Sequence, residues 1–186
     1  MKTRGFQSAV LLCALLVAGC PLDVKVPLGP PQLHAIDGRL IGDWVLEDPR
    51  GEGASSLLQL FPFNDSEYVL QVSSPERASG VLRVYPVEIA GKTFWNANDV
   101  TATFPPKKYM ILRFDLAGED GLAISWLRRE GPQESLASDA FGLGWFLAWH
   151  SRDPGVFEDL VQVRRARPHE IEDGRLKSWS ARTQAK

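Results

Sequence analysis

The chain has 186 residues, with 21 basic against 23 acidic side chains and 44% hydrophobic residues, six of them tryptophan. A net charge of −2 makes no electrostatic case for nucleic acid and leaves no broad basic patch for anionic lipid. The length fits one globular domain that buries a core of its own without staples.

Lys2 and Arg4 form a positive n-region, residues 9–18 are uncharged and mostly apolar, and Ala18-Gly19 leads into Cys20. This is the layout of a secretory signal peptide. It resembles the lipobox of bacterial lipoproteins, whose cysteine is lipidated before the signal is cut in front of it. The resemblance implies a signal over residues 1–19, palmitate-type lipidation at Cys20, and an extracytoplasmic address in the bacterial cell envelope. Two chains on the sulfur, and in many bacteria a third on the nitrogen, make such an anchor effectively permanent. Pro21 stands where aspartate is the inner-membrane retention signal, which tilts the address outward in a host with two membranes. The apolar stretch is too short to span a bilayer, which takes ~20 residues. Loss of Cys13 with the signal leaves Cys20 alone, so the mature chain has no disulfide, no thiolate metal site and no cysteine nucleophile.

Pro21, Pro27, Pro30 and Pro31 without an amphipathic period predict an extended tether over residues 20–35, reaching up to ~40 Å from the bilayer. A domain then spans residues 36–167. Strands are predicted at 40–47 around Trp44, at 55–63 with Leu58 and Leu60 on one face, and at 67–73 with Tyr68, Leu70 and Val72 together. Asn64-Asp65-Ser66 is a turn signal between the last two. Residues 81–89 form another strand, which Pro86 bends, bulges or places at an edge. After Ala90-Gly91-Lys92 comes 93–96, with Asn96, Asn98 and Asp99 read as a polar, turn-making loop. The clearest alternation puts Met110, Leu112, Phe114 and Leu116 on one face, and a turn at 118–121 pairs that strand with 122–128, which carries Trp126. The series predicts a mainly β fold, an antiparallel barrel with one C-terminal helix or, alternatively, a β-sandwich.

The helix starts at Ser138-Asp139 and runs to about His150, before Pro154-Gly155. Phe141, Trp145 and Trp149 recur every fourth residue, and Leu143 and Leu147 widen the apolar sector. The expectation is a helix that plugs or covers one end of the β-structure, with an aromatic ligand-binding stripe as the alternative. Gly142 and Gly144 are read as allowing close approach to the sheet. Residues 159–166 give a last strand, and 168–186 a solvated polar tail.

No constellation carries a reaction. His34, His150 and His169 lack metal-motif spacing, and the charged run His169, Glu170, Glu172 and Asp173 is read as solvated. G-x-S-x-G is absent, nothing brings Asp139 and Glu158 together, and the pairs Arg128-Arg129 and Arg164-Arg165 are read as protecting strand edges. The sequence thus predicts no catalytic residue, no metal, no cofactor and no enzyme.

Gly42-Asp43-Trp44 resembles the G-x-W signature of the lipocalins, which implies an eight-stranded up-and-down barrel whose closed end is plugged by the tryptophan. Residues 38–166 also resemble uncharacterised bacterial envelope lipoproteins of this lipocalin-like type. That likeness rests on Ser138-Asp139-Ala140, residues 146–150, Asp153 and Phe157. Core or pocket-lining residues are Trp44, Leu58, Leu60, Leu70, Met110, Leu112, Phe114 and Trp126. Two functions follow as expectations. A barrel filled by its own side chains works through its surface as a structural, assembly or interaction module beside an envelope protein. Alternatively, the barrel carries a small apolar ligand such as a lipid or fatty acid.

Overall fold

Successive side chains of a strand point to opposite faces, so an alternating sequence buries one face of every strand when the sheet curls on itself. The computed structural model describes residues 21–31, 36–47, 55–74, 77–101, 108–158, 160–172 and 175–176. Its strands are β1 (Gly42–Leu46), β2 (Ser56–Pro62), β3 (Tyr68–Ser74), β4 (Arg77–Ile89), β5 (Lys92–Asp99), β6 (Met110–Leu116), β7 (Gly121–Trp126) and β8 (Val161–Arg165). Each pairs antiparallel with the next, and β8 returns to β1, closing the barrel. The sandwich alternative is therefore excluded. A closed barrel has no edge, so Arg128-Arg129 and Arg164-Arg165 protect none.

Three tight hairpins lie at one end. At the β4–β5 turn Ala90 and Gly91 both have positive φ, 52° and 70°, which matches the right-handed twist of the flanking strands. At the β2–β3 turn the Asn64 carboxamide oxygen accepts from the Ser66 backbone N–H at 2.9 Å. Pro86 is paired in register with Trp95, in a stretch where β4 runs on past its last β3 partner, Val84. Its missing N–H thus falls on a side with no strand to receive it. Asn96, Asn98 and Asp99, expected in a loop, belong to β5, with Asn96 fully buried on the outer wall.

The interior holds one cluster that includes Trp44, Leu60, Tyr68, Trp95, Leu112 and Trp126. A second cluster lies outside the wall, where Phe94, Ile111 and Leu127 meet Leu143 and Leu147 of helix α1 (Ala140–His150), the one α-helix among the described residues, and Leu22 and Val24 of the N-terminal segment. The helix therefore covers the side wall and plugs neither end. The hairpin end is already filled by strand side chains, while the outward apolar residues of β5 and β6 need a cover.

The N-terminal segment corrects the expected tether. The Leu22 N–H donates to the Leu127 carbonyl at 3.0 Å, Val24 and Tyr109 exchange two backbone hydrogen bonds of 2.8 Å, and the Lys25 N–H donates to Ala137 at 2.7 Å. The Asn96 carboxamide oxygen accepts from the Leu28 N–H at 2.9 Å. Between the prolines stand donors and apolar side chains at the right places to strap the wall. The expected tail also packs in part: β9 (Ile171–Glu172) and β10 (Arg175–Leu176) form a small hairpin that presses Leu176 against Val45 and Leu57. The domain thus reaches residue 176, and all three buried clusters lie within residues 22–176.

Candidate functional site

Three places on the barrel have the shape or chemistry of a site. The first is the hairpin end, where Trp44 is fully buried and its indole N–H donates to the Leu40 carbonyl at 3.0 Å. The Arg165 guanidinium lies 4.3 Å from the Trp44 ring centroid and donates to the carbonyls of Ile41 at 3.1 Å and Arg39 at 2.6 Å. A cation over an indole face is attracted by the ring quadrupole. The same contact explains Gly42. Its φ is +133°, and a Cβ there would stand 2.7 Å from Arg165 Nη1. Tyr68 completes this end: its hydroxyl accepts from the Asp37 N–H at 2.7 Å, and burial raises its pKa. The Trp44 N–H, the Arg165 guanidinium and the Tyr68 hydroxyl are each bonded within the protein, so this arrangement closes the barrel end.

The opposite end contains an apolar cavity of about 50 Å³. Leu58, Leu70, Met110, Leu112 and Trp126 line it, together with Leu46, Val72, Leu82, Ile124, Val161, Val163 and Pro21. Trp44, Leu60 and Phe114 do not; they belong to the filled part, where Phe114 packs on Trp95 at 4.9 Å between centroids and Tyr68 meets Trp95 edge-on at 5.3 Å. The Trp126 indole N–H is buried without an acceptor. A dry void of ~150 Å³ is what admits benzene, and this one is about a third of that.

The third place is the outer face of α1. Asp139 caps the helix by accepting from the Gly142 N–H at 3.0 Å, and a Cβ at Gly142 would collide with that carboxylate. Gly142 thus serves the cap, whereas buried Gly144 faces Ile89 of the wall. At the other terminus Lys92 Nζ donates to the Ala148 carbonyl at 2.7 Å and the Ser151 hydroxyl at 3.1 Å, a cation where the helix dipole favours one. Leu143 and Leu147 face the barrel. Phe141, Trp145 and Trp149 face away, 83%, 61% and 68% exposed, with the two indoles 6.0 Å apart. The helix thus plugs no end of the barrel, and its aromatic stripe lies on the outer surface, apart from both the core and the cavity.

The remaining candidates are engaged elsewhere. His150 pairs with Asp153 at 2.8 Å and stacks on Phe146. Glu158 pairs with Arg128 at 2.9 Å, apart from the Asp139 cap. Arg164 donates to both oxygens of Glu170 at 2.8 Å, which with the Arg167 N–H holds that carboxyl down to about 2. On the wall the Glu67 carboxyl is likewise lowered by Arg83, which grips both its oxygens. Among the described residues, no group of three His, Cys, Asp or Glu side chains is placed to hold a metal ion, and no helix is long and apolar enough to cross a membrane. Cys20, His34 and Asp173 lie outside the described residues.

Sequence reasoning missed Arg165 and the orientation of α1. Arg165 carries a usable signal, since its place on the closing strand sets it beside the G-x-W tryptophan in register. The helix carries a weaker one: it is apolar all round, and only size and branching separate its leucine face from its aromatic face. No family model, no curated protein and no solved structure matches this chain, which leaves the geometry above to bear on its function.

Proposed function

We propose that this chain is a bacterial envelope lipoprotein, anchored through Cys20 on the extracytoplasmic side of a membrane. Its lipocalin-like barrel is a filled scaffold, and its outer surface is the working part, a structural or assembly module with no reaction of its own. The observation that carries this is the interior: side chains from all eight strands meet there, and the apolar cavity at one end measures about 50 Å³. A lipid or fatty acid does not fit without repacking, and repacking a close-packed core costs ~1–3 kcal/mol or more.

A second reading has one observation in its favour. The cavity wall is apolar and the Trp126 N–H beside it is unsatisfied, so a small apolar molecule bearing one acceptor could settle there with modest rearrangement.

Mass spectrometry of the membrane-extracted protein tests both. The expected result is a mature chain beginning at Cys20 with acyl chains attached covalently, and no noncovalent ligand retained under native conditions. A Cys20→Ser variant should lose the acyl mass and leave the detergent phase. An unmodified mature Cys20 removes the anchor, and a stoichiometric noncovalent lipid favours the carrier.

A further inference from the structure

A solvated helix ordinarily turns a charged face outward. From Ala140 to Trp149, α1 has no charged side chain, and its outward face presents Phe141, Trp145 and Trp149 at successive four-residue steps. Contiguous exposed aromatics on a monomer mark an interaction surface. Indoles join an apolar body to one N–H donor, a combination that settles where acyl chains meet headgroups.

The N-terminal strap says which partner covers this face. Its last described residue toward the N-terminus is Pro21, and Leu22 and Val24 share one buried cluster with the inner face of α1. Lys25 is hydrogen-bonded to Ala137, just ahead of the helix. The chain from Cys20 to Lys25 spans at most ~17 Å, about the length of α1 itself. Pro21, the neighbour of the residue that would bear the lipid, is bridged to Arg128 at the cavity end, and the strap leads from there onto the wall covered by α1.

We infer that the outer face of α1 is a membrane-docking surface: Phe141, Trp145 and Trp149 enter the headgroup–acyl boundary of the bilayer to which the chain is anchored. The barrel then lies on its side wall against the membrane, with α1 between. The inference deepens the envelope reading by naming what the working surface touches, and it can be tested without the anchor. A chain beginning at Pro21 contains every residue of the closed barrel and of the three buried clusters while lacking any lipid.

Phosphatidylcholine vesicles with brominated acyl chains are the probe. The chain from Pro21 should cosediment with them, and its tryptophan fluorescence should be quenched. Replacing both Trp145 and Trp149 by Ser should weaken partitioning about tenfold or more, with an unchanged far-ultraviolet spectrum and melting curve. Phe63→Ser, at a comparably exposed aromatic on the β2–β3 turn, should leave partitioning as it was. The inference is overturned if the parent chain ignores the vesicles, if the double variant binds equally, or if Phe63→Ser weakens binding as much. It is also overturned if sedimentation shows a dimer that the double substitution dissolves, since a second copy then covers the stripe. An unmodified Cys20 would remove the anchor and leave this measurement standing.

Discussion

Trp44, Trp95 and Trp126 stand inside the barrel, at most 5% exposed, whereas Trp145 and Trp149 stand on α1 in solvent. The interior set is used up by the fold. Trp44 is sandwiched under Arg165 and bonded to Leu40, Trp95 is boxed by Tyr68 and Phe114, and Trp126 packs among aliphatics. The helix pair meet each other at 6.0 Å between centroids and are otherwise largely exposed. The same side chain thus does opposite things inside the barrel and on the helix outside it, and the difference teaches that aromatic content by itself says nothing of a pocket. What matters is which face of which element finds a partner.

Substitutions can break or sharpen this contrast. Trp44→Ala should be the most damaging, destabilising by about 3–5 kcal/mol in urea unfolding, the usual range for a large core aromatic; a variant melting like the parent would refute the burial. On the helix, Leu143→Ala should lose about 2–5 kcal/mol, because Leu143 is fully buried against the wall. Arg165→Met keeps the stem over Trp44 but removes the cation and two carbonyl contacts, and about 1–2 kcal/mol should go with them. Trp145→Ser, two residues from Leu143 and so on the opposite face of the helix, should change stability by no more than about 0.5 kcal/mol. A larger loss there would mean that the stripe packs on the protein after all.

Acid offers a check on the wall independent of the aromatics. Arg83 lowers the Glu67 carboxyl, and Arg164 lowers Glu170 to about 2. A carboxyl whose folded pKa lies below its unfolded value of ~4.3 contributes stability above that value and loses it as pH falls through the folded one. The urea midpoint should therefore fall steadily from pH 5 toward pH 2, and Glu170→Gln should flatten part of the slope. A midpoint constant over that range would contradict the pairings.

The barrel was legible because alternation leaves little choice. Met110, Leu112, Phe114 and Leu116 can share only one side of a strand, and in the structure all four pack on the interior cluster. Three features were not legible, each for a physical reason. Residues 21–31 are proline-spaced and look extended, but extended chain is also what pairs with Leu127 and Tyr109. Asn96 and Asn98 look like loop residues, yet Asn96 lies beneath the strap and accepts its Leu28 N–H. The helix is apolar on both faces, so periodicity finds the helix and cannot choose the buried side. Only the tertiary fit of the leucine face against Phe94 and Ile111 decides it.

The central claim is that the barrel's inside belongs to the fold and its outside to the function. Titrating the chain from Pro21 with a fluorescent fatty acid tests this most directly, because a carrier must show a saturable, stoichiometric rise as the probe leaves water. A filled barrel should give no saturable signal in the absence of vesicles. Saturable one-to-one binding, lost in a Phe114→Ala variant that keeps its fold, would put the ligand inside the barrel and contradict the claim.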